Sequence, residues 1–209
     1  MLRADSTVFV VDDDAAVLKA VERLLRAEGL EVAAFRSPRE FLDCHDPGVP
    51  GCLVLDLSMP DLDGLALQRA LAERGEARPT VFLSGHGDIP ASVRAMKQGA
   101  VDFLTKPVND ADLLEAVRQA IARDLGARAK DTEMADLRSR LATLTPRELE
   151  VLGHVVAGRL NKQIAADLGT VEKTVKVHRA RIMQKLRASS VAELVRIAVR
   201  AGAATAPDR

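Results

Sequence analysis

The chain has 209 residues but no tryptophan and no tyrosine, and only five of its residues are phenylalanine. Proteins that bind single-stranded nucleic acid commonly stack bases on aromatic side chains, so this composition argues against that class. No apolar run approaches the roughly 20 residues that span a bilayer, and the first residues lack the basic and apolar regions of a secretion signal. We therefore expect a globular cytoplasmic protein without a membrane partner.

Cysteine is also scarce, since Cys44 and Cys52 are the only two thiols. They could pair as a disulfide, or form half of a metal site with His45. Two thiols in a chain of this kind are usually free and reduced, and the sequence favours that state.

Acidic and basic residues are equally numerous, 30 of each, but they are unevenly distributed. Residues 1–125 contain 14 Lys and Arg against 21 Asp and Glu, a net charge of −7, whereas residues 126–209 contain 16 against 9, a net charge of +7. The pattern predicts an acidic module joined to a basic one. The basic module is the natural candidate for binding nucleic acid, although two ordinary solvated surfaces would give the same counts.

Short Val/Leu-rich runs alternate with segments of helical periodicity in the acidic half. Five strands in strict alternation with five helices predict an α/β fold, in which a doubly wound, five-stranded parallel sheet carries helices on both faces. These helices are predicted at residues 15–28, 38–43, 64–73, 90–98 and 110–123.

Four of the strand-like runs lead into polar residues. Asp12 and Asp13 follow the first run, Asp56 follows the third, Ser84 follows the fourth, and Lys106 comes shortly after the fifth. Ligands of open α/β sheets bind outside the carboxyl ends of the strands. We therefore expect these five side chains to converge at one edge of the sheet.

Two adjacent aspartates and a third across the sheet offer hard oxygen ligands, which favour Mg²⁺. We assign the direct contacts with this ion to Asp13, Asp56 and the main-chain carbonyl of Ser58. Asp12 would hold water or position its neighbour. The sequence thus predicts a magnesium site in the acidic half.

Phosphoryl transfer onto a carboxylate is the chemistry that suits this set of residues. Asp56 would attack phosphorus and form an acyl phosphate. Ser84 would hydrogen-bond one phosphoryl oxygen, and Lys106 would pair with another. Nearby Asp14 and Asp63 are typical of helix caps and turns instead.

A helix-start pattern opens the folded part of the basic half. Thr145 can cap the helix, Pro146 suits its first position, and Glu148 can complete a capping box. Four helices with a tight glycine turn predict an all-α helix-turn-helix domain. Its further helices are predicted at residues 161–168, 172–186 and 191–201.

Seven positive and two negative residues within 161–187 give this segment a net charge of +5. In a helix starting near Glu172, the apolar residues Val175, Ile182 and Leu186 would face the core, and the basic residues would face DNA. Residues near the helix start can read bases, and later ones can contact phosphates. The candidate base readers are Lys173, Lys176 and Val177, the candidate phosphate contacts are Arg181, Lys185, Asn161 and Lys162, and Thr174 and Arg179 complete the predicted DNA-binding set.

Residues 126–141 and their flanks are charged, and they indicate a helical linker. Their sparse apolar positions fit either a dimer seam or plain solvation, and they are too few for a coiled coil. These positions are Leu125, Met134, Leu137, Leu141 and Leu144.

The segments VFVVDDD, LVLDLSMPDLDG, VFLSGHGDIP and GAVDFLTKP resemble the receiver domain of two-component response regulators, over about residues 5–125. The resemblance implies a flavodoxin-like sheet with Asp56 as phosphoacceptor. It also implies that Phe103 is the aromatic switch position, and that Ser58 and His86 tune dephosphorylation. Since phenylalanine has no hydroxyl, any rotamer change at this position must act through packing.

The segments LTPRELEVL, GRLNKQIAADLG and KTVKVHRARIMQKL resemble the LuxR-type helix-turn-helix, over about residues 142–203. Many relatives have a capping serine where this chain has Val171, and Thr170 could cap the helix one residue earlier. The whole resembles the FixJ/NarL class of response regulator. It implies a receiver at 1–125, a linker at 126–141 and a DNA-binding domain at 142–209.

This resemblance implies a sensor histidine kinase as phosphoryl donor, double-stranded promoter DNA as ligand, and a homodimer when phosphorylated. Release of the recognition helix from a closed form is an equally compatible route to activation. A haloacid-dehalogenase-like phosphatase would need a general acid two residues after its nucleophile, where this chain has Ser58. A regulator that ignores phosphorylation would be expected to have an incomplete pocket, and this one is complete. We therefore expect a regulator that is not an enzyme.

Overall fold

A computed structural model of the protein describes residues 6–85 and 89–202. The chain divides into two compact units, Met1–Arg128 and Ala129–Arg209. In the part of the chain that is described, no helix is sufficiently long and apolar to cross a membrane.

A five-stranded parallel sheet forms the centre of the first unit, as predicted. Its strand order is β2-β1-β3-β4-β5, so that the chain winds in both directions from the middle of the sheet. The strands are β1 Thr7–Val11, β2 Glu31–Phe35, β3 Gly51–Asp56, β4 Thr80–Ser84 and β5 Asp102–Thr105. Every residue of β3 and β4 is buried, because both faces of these central strands are covered.

Helices cover both faces of the sheet and enclose two apolar cores. Val8, Val10 and Val54 belong to one core, whereas Phe9 and Leu53 belong to the other, because successive side chains of a strand point to opposite faces. The helices of this unit are α1 Ala15–Ala27, α2 Pro38–Cys44, α3 Gly64–Glu73 and α4 Ile89–Lys97. The first part of α5, a helix that spans Asp110–Ala142, also belongs to it.

Helix α5 is a single helix of 33 residues that covers both the last predicted receiver helix and the predicted linker. The linker is helical as expected, but its separation from the preceding helix was wrong. Gly126 lies inside α5 and costs helical stability without ending the helix. The predicted domain limits themselves stay a prediction.

Both interpretations of the apolar linker positions, a dimer seam and plain solvation, were wrong for most of these residues. Leu125 packs against the core of the first unit. Leu137 and Leu144 are buried, and Leu141 packs against the core of the second unit. The apolar side chains of this segment therefore serve the folding of the chain itself.

Four further helices, α6 Pro146–Val156, α7 Asn161–Asp167, α8 Glu172–Leu186 and α9 Val191–Arg200, form the second unit. The predicted capping box of α6 is present, with Thr145 and Glu148 bonded to each other's backbone N–H groups. The three apolar residues Val175, Ile182 and Leu186 are fully buried, as predicted. Thr170 does not cap α8, because Val171 occupies the cap position and no side-chain hydrogen bond is made there.

Candidate acidic site and basic surface

Five polar side chains lie at the carboxyl edge of the sheet, as the sequence predicts. Asp12 and Asp13 follow β1, Asp56 ends β3 and Ser84 ends β4. Lys106 follows β5 and is held at the edge by its backbone N–H, which donates to the carbonyl oxygen of Ser84 at 2.7 Å. Residues far apart in the sequence are thus brought together by the parallel order of the strands.

The ammonium group of Lys106 joins two of the aspartates. Its Nζ lies 2.7 Å from Asp12 Oδ2 and 2.8 Å from Asp56 Oδ1. Both carboxylates are buried, with 1% of Asp12 and 5% of Asp56 exposed. Buried carboxylates of like charge are unfavourable without a cation between them, so Lys106 is part of what keeps this site folded.

The pKa values of Asp12 and Lys106 are both raised above their ordinary values, for different reasons. Burial raises the pKa of Asp12, and the hydrogen bond from Lys106 offsets only part of that effect. Burial by itself lowers the pKa of Lys106, but its hydrogen bonds to Asp12 and Asp56 outweigh burial and raise it. Lys106 therefore stays positively charged beside the carboxylates.

The donor set fits a magnesium ion. Carboxylate oxygens of Asp12, Asp13 and Asp56 lie within 4.8 Å of one another. Three carboxylates and one ammonium leave a net charge of −2, which a divalent cation would neutralise, and oxygen is the ligand that Mg²⁺ prefers. Asp12, which we expected to hold water or to position its neighbour, belongs to this cluster as well. Ser58, whose carbonyl we predicted as a ligand, is exposed two residues after β3.

Other acidic residues around the site have the capping roles that we expected. Asp14 accepts a hydrogen bond from the N–H of Ala16 at the start of α1, and Asp63 does the same for Ala66 at the start of α3. Gly64, the first residue of α3, lies against the phosphoacceptor candidate, since a Cβ there would be 2.4 Å from the carbonyl oxygen of Asp56. Only glycine allows α3 to begin so close to the site.

The two predicted switch residues lie on neighbouring strands. Ser84 is 2% exposed. Phe103 on β5 is half-buried, and its ring centroid is 6.3 Å from that of Phe82 on β4. His86, the second residue expected to tune dephosphorylation, lies outside the described residues.

Helix α4 presents apolar side chains to solvent beside these strands. Ile89 is 73% exposed, Val93 46% and Met96 47%, whereas Ala91 and Ala95 on the other side of the helix are buried. Three large apolar residues on one exposed face are unusual for a helix whose opposite face already packs on the core. Exposed apolar patches of this kind are typical of interaction surfaces.

In the second unit, α8 has its buried side in the core and its basic side in solvent. Lys173, Lys176, Val177 and Arg181 are exposed, and Thr174 is half-buried. Lys176 lies 3.5 Å from Glu172 one turn earlier, an exposed pair that competes little with a ligand. The predicted base readers thus lie on one accessible surface.

Two further members of the predicted set contact each other. Nη1 of Arg179 donates to Oδ1 of Asn161 at 2.6 Å, which joins α8 to the start of α7. Lys162 next to it is exposed.

Lys185, which we predicted as a phosphate contact, is ion-paired within the second unit, and its contact with DNA stays a prediction. Its Nζ donates to Glu148 Oε2 at 2.7 Å and to the carbonyl oxygen of Thr143 at 2.8 Å. Glu148 is 2% exposed. The hydrogen bonds from Lys185 and from the backbone of Thr145 lower the pKa of Glu148 to about 2. We interpreted Glu148 only as a cap and missed this pairing, because nothing in the sequence joins positions 37 residues apart.

Comparison with known proteins agrees with this geometry. Residues 8–118 match the family of response regulator receiver domains, and residues 142–198 match the LuxR family of bacterial regulatory proteins. Nodulation protein W of Bradyrhizobium diazoefficiens is 49% identical over 91% of this chain and 84% of its own length. The transcriptional regulatory protein FixJ of Azorhizobium caulinodans is 43% identical over 96% of this chain and 95% of its own.

Among solved structures, the response regulator StyR is similar over 94% of this chain and 99% of its own, with 44% identity and a TM-score of 0.87. The chain therefore belongs to the two-component response regulators that join a receiver domain to a LuxR-type DNA-binding domain, and it is a phosphorylation-dependent transcriptional regulator.

Proposed function

We propose that the chain accepts a phosphoryl group on Asp56 from a sensor histidine kinase, and that the phosphorylated form binds promoter DNA through α8. The observation that carries this proposal is the position of Asp56 at the end of the central strand β3, 2.8 Å from the ammonium group of Lys106. A carboxylate nucleophile needs such a cation, because negative charge accumulates on the phosphoryl oxygens during transfer.

In the proposed reaction, a carboxylate oxygen of Asp56 attacks phosphorus, an O–P bond forms, and the bond from phosphorus to the donor nitrogen breaks. Lys106 pairs with one phosphoryl oxygen and Ser84 donates a hydrogen bond to another. Mg²⁺ held by Asp12, Asp13 and Asp56, with the carbonyl of Ser58, would supply neutralisation of the remaining phosphoryl charge. This chemistry is limited to gaining and losing one phosphoryl group, as suits a regulator that is not an enzyme.

The response is proposed to run from Ser84 and Phe103 to the exposed face of α4. Inward movement of these two side chains would shift α4 and β5, and the shifted face would bind a second copy of the chain. The exposed apolar residues Ile89, Val93 and Met96 support this step. Two α8 helices in a dimer would read half-sites about one helical turn apart.

For DNA binding, the exposed residues of α8 carry the proposal. Lys173, Lys176, Thr174 and Val177 would read bases, while Arg181 would contact phosphate together with Lys162. Arg179 and Asn161 would fix the start of α7 against α8. We leave Lys185 out of the proposed phosphate contacts, because its ammonium group is bound within the domain.

Asp56→Asn is expected to abolish phosphorylation of the receiver. Asparagine keeps the shape of the side chain but lacks the negatively charged oxygen that acts as the nucleophile. Wild type, incubated with Mg²⁺ and a small acyl phosphate donor, should gain one phosphoryl group in intact-mass spectrometry, and the variant should gain none. Asp61→Asn is the matched control, since Asp61 lies exposed in the turn after β3 at a φ of 68°, which asparagine tolerates. Equal labelling of the Asp56 variant and this control would refute the assignment.

Lys176→Met is expected to relax sequence discrimination. Loss of one base contact costs about 1 to 3 kcal/mol of specificity, so the ratio of affinities for a selected site and for a random duplex should fall about tenfold or more. Fluorescence anisotropy with the phosphorylated chain measures both affinities. Arg181→Gln should instead weaken the affinities for both duplexes equally. It should also reduce the slope of log affinity against log salt concentration, the salt slope, by about one. A reversed pattern for the two variants would exchange their assigned roles.

A further inference from the structure

A cleft of about 340 Å³ in the second unit lies between the last part of α5, the end of α8 and α9. Four arginines against two glutamates give its charged walls a net charge of +2. A concave site with excess positive charge concentrates anions. These charged residues are Glu133, Arg140, Arg187, Glu193, Arg196 and Arg200.

The carboxylates of the cleft already have partners. Arg200 donates to both oxygens of Glu133, at 2.9 and 2.8 Å. Glu193 accepts a hydrogen bond from the N–H of Ser189 at 2.8 Å, ahead of α9. Arg140 forms an ion pair with Asp136, one turn earlier on α5. Glu133 is therefore held by Arg200, whereas Glu193 is held by hydrogen bonds from Ser189 and attracts Arg196 without a direct contact.

Arg187 and Arg196 are the two remaining arginines of the cleft. Within the described ranges, neither has a carboxylate oxygen within 4.0 Å of its guanidinium group. Both side chains are exposed, so a ligand can reach them. Glu193 attracts Arg196 only at longer range. The N–H donors of both guanidinium groups are therefore unused among the described residues, although one of the two groups lies near a carboxylate.

The backbone at Arg187 gives a second, independent observation. Arg187 ends α8 in the left-handed conformation, with φ 54° and ψ 37°. Glycine is the usual residue there, because a Cβ is unfavourable in this conformation. A long charged residue at a position that prefers glycine is a backbone outlier, and such outliers cluster at functional sites.

We propose that this arginine cleft binds a phosphate group through Arg187 and Arg196. The planar guanidinium group matches phosphate oxygens in a bidentate manner and stays charged at every physiological pH. The volume lies at the lower end of the range for small-molecule sites, about 300 to 1,000 Å³. The phosphate belongs either to a small phosphorylated molecule or to the backbone of bound DNA. The site does not depend on the phosphorylation of Asp56.

Calorimetric titration of the full chain with inorganic pyrophosphate, in a metal-free buffer, tests the first source. Without a divalent cation the site at Asp56 has a net charge of −2, so it will not bind this anion. Wild type should bind with a saturable isotherm, and Arg187→Gly and Arg196→Gln should each weaken binding tenfold or more. Arg138→Gln on the exposed side of α5 is the matched control and should leave the affinity unchanged. Glycine suits the backbone at 187, so that variant should melt no lower than wild type.

Anisotropy with a random DNA duplex tests the second source. If pyrophosphate does not bind, but Arg187→Gly and Arg196→Gln each reduce the salt slope by about one relative to Arg138→Gln, the phosphate is that of DNA. If both variants match the control in the calorimetric and the DNA titrations, the proposal is overturned. Both titrations use the unphosphorylated chain. They therefore test the arginine cleft even if Asp56 proves not to be phosphorylated.

Discussion

Addition of Mg²⁺ and beryllofluoride, a mimic of the phosphoryl group, is expected to double the molar mass of the wild-type chain in light scattering behind size exclusion. The mimic would occupy the site at Asp56 and draw Ser84 and Phe103 inward. The face of α4 would then pair with its copy, which removes Ile89, Val93 and Met96 from water. Burial of apolar surface stabilises such a dimer by about 25 cal/mol per Å² before the entropic cost of association.

Two variants test separately the phosphorylation site at Asp56 and the dimerisation surface on α4. Asp56→Asn should stay monomeric under every condition, because it cannot hold the mimic. Val93→Glu should still take up a phosphoryl group but stay monomeric, since a charge would be buried in the new interface. An unchanged mass together with increased DNA affinity would favour release of the recognition helix within one chain. A dimer in every condition would mean that phosphorylation controls the arrangement of the domains and not the assembly of the dimer.

Lys185→Met is expected to destabilise the DNA-binding unit by about 3 kcal/mol, because removal of one partner leaves the buried carboxylate of Glu148 uncompensated. Urea unfolding followed by circular dichroism measures this change. Lys173→Met is the matched control, since Lys173 is an exposed lysine of the same helix, and it should change stability by no more than about 0.5 kcal/mol.

The double variant Glu148→Gln/Lys185→Met should recover most of the lost stability. Glutamine can still complete the capping box with Thr145, and no buried charge is left alone. DNA binding of Lys185→Met, measured at low temperature where it is folded, should keep the salt slope of wild type. A slope lower by about one would restore Lys185 to the phosphate contacts and contradict the internal role.

The acidic site could be predicted from the sequence because each of its residues is attached to a strand end. The hydrophobic period locates the strands, and the parallel order brings their ends to one edge whatever the loops between them do. No knowledge of contacts between distant residues was therefore needed to place Asp12, Asp56, Ser84 and Lys106 together. The hydrogen bonds from Lys106 to both aspartates could not be predicted, since they depend on side-chain distances.

The basic surface was predicted less well for a physical reason. Helical periodicity assigns residues to a face, and it correctly placed Val175 in the core and Lys176 in solvent. It does not show whether a lysine near the edge of that face meets water or a carboxylate from another helix. Lys185 is such a residue, and its partner Glu148 lies on α6.

The extent of α5 was misjudged because its composition changes while its backbone does not. Residues 110–123 have a clear apolar stripe and the following residues do not, so the pattern indicated two elements. Most of the helical residues after Arg123 are nonetheless strong helix formers, and the single Gly126 is too weak an interruption to end the helix. Packing of Leu137 and Leu141 then secures the last turns.

The bridge made by Lys106 also describes the receiver before any phosphoryl group is attached. Its ammonium group holds Asp12 and Asp56 together, so the unmodified site is a bonded state with a geometry of its own. In the proposed reaction, an incoming phosphoryl group would compete with Asp12 and Asp56 for the ammonium group of Lys106. After loss of the proposed phosphoryl group, the same lysine would bind both carboxylates again, as it does in the unmodified site.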